Sequence, residues 1–316
     1  MNYRYLGRTG LLVSEIGLGT VELGMDYGVP VAGEHLRPGE DQASHLLNRA
    51  LDLGVNLIDT ARAYGVSEEV IGRALKSRRG EYVLATKLAP IKDEGLTDRE
   101  LREQVRASVQ ASLRALQTDV IDLLQLHHAP ADLIRRGRLC AAMQELQQAG
   151  CVHFIGASTY GEEAALAVLQ DGRYDTLQVA YNLVDREPAE RVLPTAQRQG
   201  VGVIVRSVLL RGVLTHRYTL LPESLSALRA AVDRLSALVG PEADSLPEMA
   251  YRFVLGHPAV STALVGTARL AELEAALAFA GRGALSPVLV QRLQGVNVGD
   301  RRQLNPSTWP SDWHLT

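Results

Sequence analysis

A (β/α)8 barrel is the fold this sequence predicts. Short β-branched or Leu-rich runs alternate with longer stretches of helical period from about residue 16 to about residue 280, and eight such units occur. No Pro/Gly/Ser-rich linker divides the chain, so one domain over residues 1–316 is expected. The strand runs are Ile16–Gly19, Val55–Ile58, Tyr82–Thr86, Val120–Leu126, His153–Ala157, Thr176–Ala180, Val201–Val205 and Thr262–Val265. Helical segments lie near Gln42–Leu53, Glu68–Leu75, Asp98–Leu116, Leu139–Gln148, Glu162–Leu169, Ala189–Arg198 and Leu270–Ala280. Two more, near Ser224–Val239 and Leu246–Leu255, fall between strands seven and eight. In the longest segment Leu101, Val105, Ser108, Val109, Ser112, Leu113 and Leu116 share one face at a period near ~3.6. Gly54, Gly80, Gly150 and Gly200 each stand just before a strand run, where a helix end or turn favours a left-handed residue. Strand–helix alternation implies a parallel sheet covered by helices, for which an open doubly wound sheet is the alternative to the closed barrel. In the first 15 residues Gly7 and Gly10 form a turn between short alternating runs, expected as a β-hairpin capping the barrel bottom. The tail after Asn297, with Trp309 and Trp313, has no helical period and is expected as a loop over the pocket.

Composition narrows the function classes. Of the 316 residues, 46% are hydrophobic and 22% charged, ample for one large core. A net charge of −3 gives no basic field for a nucleic-acid backbone. No apolar run approaches the roughly 18–20 residues of a membrane helix. MNYRYLGRTG lacks the apolar stretch of a secretory signal. Cys140 and Cys151 make no disulfide framework and show no metal spacing, so a reduced, cytoplasmic setting without a metal is expected.

In a (β/α)8 barrel, chemistry gathers where the strands end, because the loops there surround one pocket. The strand runs here end in, or carry, Asp59, Lys87, His127, Ser158, Gln178, Arg206 with Ser207, and Gly266 with Thr267. Each has an ordinary alternative when taken singly. Lys87 can be solvated, and Asp59, or Ser158 with Thr159, can cap the following helix. His127 and His128 are adjacent, so in a strand at most one faces the pocket, and the pair is a poor metal chelate. Their conjunction on successive strands is what points to a site.

At these residues the chain resembles the aldo/keto reductase family, and the likeness covers nearly its whole length. Asp59-Thr60-Ala61-Arg62-Ala63-Tyr64-Gly65 with Ser67-Glu68, Ala85-Thr86-Lys87, and Asp122-Leu123-Leu124-Gln125-Leu126-His127 resemble three of its motifs in order. Ile155-Gly156-Ala157-Ser158, Gln178 with Tyr181-Asn182, Leu6-Gly7-Arg8-Thr9-Gly10 and Gly17-Leu18-Gly19-Thr20 fit as well. The resemblance implies an NAD(P)(H)-dependent oxidoreductase acting on an aldehyde, ketone or aldose, with a tetrad of Asp59, Tyr64, Lys87 and His127. Tyr64 would be the acid, Lys87 would lower its pKa, Asp59 would orient Lys87, and His127 would bond the substrate oxygen. It also implies cofactor contacts from Gly19, Thr20, Ser158, Gln178, Ser207, Leu209, Arg211, Leu214, Gly266 and Thr267. A Gly-rich dinucleotide fingerprint is absent, since Glu22 stands where Gly17-Leu18-Gly19 would require a third glycine.

Departures from the family pattern shape the remaining expectations. Thr159 stands where an asparagine often helps hold the carboxamide, and Arg206 where an aromatic commonly stacks on the nicotinamide, a role a guanidinium plane can take. Family usage implies NADP(H). Glu272, however, stands where many members place a basic or amide residue for the 2′-phosphate, and Ala276 replaces a frequent asparagine, so NAD(H) use is possible. Arg269 and Arg211 could compensate. A cofactor-holding regulatory or redox-sensing subunit, an NAD-linked aldose 1-dehydrogenase, and a lyase or isomerase using Lys87 as a Schiff-base amine are the competing functions. Specificity would come from Glu22–Glu40, the loop after His127, Arg211–Leu221 and the tail. Oligomeric state is not legible in one sequence.

Overall fold

The computed structural model describes residues 1–27 and 37–309. Strands β1 (Tyr3–Tyr5) and β2 (Leu12–Ser14) pair antiparallel as the expected hairpin. Eight parallel strands follow: β3 (Ile16–Gly19), β4 (Leu57–Asp59), β5 (Val83–Lys87), β6 (Ile121–Leu126), β7 (Val152–Ser158), β8 (Thr176–Ala180), β9 (Gly202–Arg206) and β10 (Val260–Gly266). Each pairs with the next in sequence, and β10 pairs with both β9 and β3. The sheet therefore closes into a (β/α)8 barrel, and the open-sheet alternative is excluded.

Alternate residues of a strand face opposite sides, and this decides what fills the barrel. Leu57, Ala85, Leu123, Ile204 and Leu264 form one interior cluster, closed from below by Leu6 and Val13 of the hairpin. Two residues further along the same strands stand Asp59, Lys87, Gln125, Arg206 and Gly266. The pleat thus sets an apolar plug at the bottom and a polar ring at the top. Helices cover the outside. Asp98–Leu116 opens with a capping box between Thr97 and Glu100 and buries Leu101, Val105, Val109, Ser112 and Leu116, as its period predicts.

Boundaries differ where apolar identity is ambiguous. Val55 closes the turn after helix Glu40–Asp52, its N–H bonding Ala50 O at 2.9 Å, so β4 begins only at Leu57. The segment expected as Ala189–Arg198 is helical over Val192–Gln199, after a separate turn at Glu187–Ala189. Helix Ala131–Arg136 is too short to show a period in sequence, and Pro287–Gln294 was not anticipated either. The tail forms turns at Arg301–Leu304 and Pro306–Thr308, and Trp309 Nε1 donates to Gln303 O at 2.9 Å. Trp313 lies outside the described residues, as do residues 28–36 of the expected specificity segment Glu22–Glu40. Among the described residues no helix is long and apolar enough to cross a membrane.

Arg4 fastens the hairpin to the barrel bottom through Glu15 Oε1 (2.6 Å), Val260 O (2.8 Å) and Leu255 O (2.8 Å). Arg4→Ala strands the buried Glu15 carboxylate and is expected to lower stability by about 1–3 kcal/mol, read from the urea midpoint at unchanged slope.

Candidate active site

The polar ring is organised around a buried ion pair. Lys87, 1% exposed, donates from Nζ to Asp59 Oδ1 at 2.5 Å and to Thr60 O at 2.9 Å. The other carboxylate oxygen of Asp59 accepts from Gln125 Nε2 (3.1 Å) and Gln178 Nε2 (2.8 Å). Lys87 is therefore not solvated. Nor does Asp59, Ser158 or Thr159 cap a helix: Val66 and Tyr160 hold the N-cap positions of Ser67–Leu75 and Gly161–Asp171, without side-chain caps.

Tyr64 sits in the loop after β4 beside this pair, with Lys87 Nζ 5.0 Å from its ring centroid. The loop is wedged in place by backbone contact. A Cβ on Gly24 would fall 1.8 Å from Tyr64 O, and one on Gly65, whose φ is +54°, would fall 2.3 Å from Gly24 O. Below it Ser67 Oγ bonds Thr20 O (2.9 Å) and Thr20 Oγ1 (2.8 Å), and Thr20 Oγ1 bonds Asp59 O (3.0 Å). Glu68 joins Arg62 to Thr86.

Electrostatics follow from burial and these neighbours. Burial pulls the Lys87 pKa down, but the Asp59 and Tyr64 charges outweigh it, leaving Lys87 above its ordinary value. Burial raises the Tyr64 phenol, Lys87 lowers it, and the net is upward. Lys87 thus acts on Tyr64 in the expected sense, yet burial is the larger effect and the phenol is not brought down. Burial, then the Lys87, His128 and Arg206 charges, push the His127 imidazole down to about 2, so it is neutral.

His127 meets the Tyr64 ring edge-on at 5.5 Å between centroids. Of the two histidines, His128 lines the cavity, while His127 stands beside it against Tyr64, in keeping with the expectation that at most one faces the pocket. β6 ends at Leu126, and His128 turns through φ +51°, which breaks strand alternation. His128 then lines the cavity and lies 4.2 Å from His127 and 4.8 Å from Tyr160, centroid to centroid.

A cavity of about 440 Å³ opens above the ring. Gly19, Thr20, Asp59 and Tyr64 contribute to its wall from the β3 and β4 side; Gln178, Arg206, Ser207, Leu209 and Arg211 from β8 and β9; and Gly266 and Glu272 from β10 onward. Lys87, Ser158, Thr159 and Thr267 lie behind that wall, each at most 1% exposed. The guanidinium of Arg206 lies over the Tyr160 ring, 3.9 Å from its centroid, while Nη2 donates to Thr159 O at 2.8 Å. Thr267 Oγ1 donates to Glu272 Oε2 at 2.5 Å and accepts from Arg269 N at 2.9 Å. Leu214 and Ala276 are core residues instead. Gln125, which period-two spacing from Leu123 points to, and Tyr160, which carries no motif signal, join the site beyond the expected residues.

Gly65→Ala is expected to displace Tyr64 and lower turnover by about 10²-fold, the usual consequence of a misplacement near 1 Å. Loss of turnover with cofactor affinity retained would bear this out. Acid should also destabilise the protein through His127. Its folded pKa lies below the unfolded value near ~6.5, so its contribution is complete above that pH and is lost progressively below it. His127→Asn should flatten the decline in urea stability between about pH 6.5 and about pH 4.

Comparison with known proteins places this geometry. A model of the Aldo/keto reductase family matches residues 15–297. The aldo-keto reductase YhdN of Bacillus subtilis is 33% identical over 297 residues, covering 87% of each chain. An L-galactose dehydrogenase of Arabidopsis thaliana is 32% identical over 287 residues, covering 86% of this chain and 85% of that protein. The holo form of an aldo-keto reductase from Bacillus halodurans superposes with a TM-score of 0.76 at 28% identity, covering 99% of both chains.

Proposed function

The chain belongs to the aldo/keto reductase family and is an NAD(P)-dependent oxidoreductase, and from that premise we propose that Tyr64 is the proton donor and acceptor of its reaction at a carbonyl or alcohol carbon. The observation carrying this reading is the Tyr64 phenol set between neutral His127 and the buried Lys87 ammonium. A bound nicotinamide supplies or accepts the hydride. Tyr64 gives its proton to the carbonyl oxygen, and neutral His127 donates an N–H to the same oxygen. Lys87 stabilises the tyrosinate left behind, and Asp59 holds Lys87 in register. In the opposite direction Tyr64 takes the hydroxyl proton.

Buried polar atoms without partners fit a carboxamide and phosphates. Ser158 Oγ and Thr159 Oγ1 have no hydrogen bond within the described chain, nor have the Nε atoms of Arg206 and Arg211. Gln178 Nε2 is committed to Asp59, which leaves its carbonyl oxygen for the carboxamide. On this reading Ser158, Thr159 and Gln178 hold the nicotinamide end, and Arg206 covers it. Ser207, Leu209 and Arg211 follow the pyrophosphate beside Gly19 and Thr20. Gly266, Thr267 and Glu272 meet the adenosine. Glu272, drawn onto Thr267 and Arg269, favours NAD(H). A polar mouth of His128, Tyr160 and Arg206, and the likeness to a sugar dehydrogenase, favour an aldose or another polar carbonyl compound. The Schiff-base alternative fares poorly, because it needs a lysine with a depressed pKa and Lys87 is shifted upward.

Tyr64→Phe tests the mechanism. It should lower kcat by about 10²–10⁴-fold on aldehyde and aldose substrates while NADH still binds. Full activity in this variant would overturn the role of Tyr64. Cofactor binding without turnover by the unaltered protein would support a regulatory subunit instead.

A further inference from the structure

Glu22 belongs to no motif and to no step of the mechanism above, yet it reaches the turn that follows β10. A Cβ built on Gly266 would lie 4.0 Å from Glu22 Oε1, so the carboxylate rests over this glycine. The Ala268 backbone amide and the Arg217 and Arg269 guanidinium groups stabilise its charge. Five positions beyond Thr267, Glu272 accepts the Thr267 hydroxyl at 2.5 Å and lies 3.4 Å from Arg269 Nη1. Both carboxylates also act on Tyr251, whose buried phenol is raised by burial and then by Glu272 and Glu22 in turn. Polar groups of one turn that would otherwise be offered to an incoming anion thus face two acids supplied by the chain itself.

We propose that Glu22 is a second specificity-determining carboxylate which, with Glu272, fills the Gly266–Arg269 turn and turns away a nucleotide bearing a ribose 2′-phosphate in favour of the 2′-hydroxyl form. This rests on the cavity being the cofactor site. Two like charges placed against a phosphate oppose it directly, whereas carboxylates accept hydrogen bonds from ribose hydroxyls. The discrimination is also pH-dependent. Burial first, and Glu272 second, push the Glu22 carboxyl up to about 7, against the pull of Ala268, Arg217 and Arg269. Above that pH Glu22 is charged and rejection is complete. Below it Glu22 becomes neutral, and Glu272 acts alone.

Fluorescence titration of the full chain with NADH and with NADPH, at about pH 6 and about pH 8.5, tests this on the unaltered protein, Glu22→Gln, Glu272→Gln and the double variant. At the higher pH, Glu22→Gln should lower the ratio of the NADPH Kd to the NADH Kd by about tenfold, the effect of roughly one charge contact. The 2′-phosphate itself titrates near about 6, and the Glu22→Gln profile carries that part alone. The unaltered protein should therefore show the steeper change of ratio with pH. Glu22→Ser provides the same comparison if the glutamine variant does not fold. NADH binding with a Kd ratio that stays within about twofold in the Glu22 variants, or with an unchanged pH profile, would overturn the role of Glu22 and leave the cofactor site standing. Failure of the unaltered protein to bind either nucleotide would overturn the cofactor site, and this proposal with it.

Discussion

The mouth of the barrel is built around an ammonium and a carboxylate buried 2.5 Å apart, Lys87 Nζ and Asp59 Oδ1. Neither charge is stable alone in such a place, because removal from water is costly for each ion. Their mutual attraction is supplemented at every side: Thr60 O takes a second ammonium proton, and the amides of Gln125 and Gln178 cover the second carboxylate oxygen. The pair thereby ties together β4, β5, β6 and β8. It also fixes a positive charge beneath the Tyr64 ring and close enough to His127 to keep that imidazole neutral. Phenol, imidazole and ammonium consequently hold distinct protonation states side by side, as acid–base chemistry at one oxygen requires.

Precision at this centre comes from parts with no polar role. Backbone contact between Gly24 and the Tyr64–Gly65 segment admits no side chain, and the Thr20–Ser67 hydroxyl bonds close the loop from beneath. The hairpin plugs the opposite end of the barrel, so the interior is filled rather than hollow and the strands keep their register. Charge along the cavity is uneven as well. Arg206 and Arg211 stand on the β9 side, with their guanidinium groups over Tyr160 and Tyr27, while Glu22 and Glu272 stand where β10 gives way to its helix.

The sequence by itself determined the barrel. Eight alternations of strand and helix, and apolar residues at periods of two and 3.6, are local properties that survive without knowledge of contacts. It also determined which strand ends carry polar groups, because a strand's pleat sends every second residue inward whatever surrounds it. Asp59, Lys87, Gln178 and Arg206 were legible for that reason, and Gln125 would have been by the same rule. Tertiary structure alone decided the rest. The left-handed turn at His128, which brings its imidazole to the cavity wall, depends on where β6 stops. The upward shift of Tyr64 depends on how deeply the ring is buried, which exceeds the effect of the lysine beside it. The meeting of Glu22 with Gly266 and Glu272 joins residues about 250 positions apart, across the seam where β10 closes on β3. Periodicity reports the face on which a side chain stands. Its neighbours on that face, and the charge they leave it with, are set only when the sheet closes.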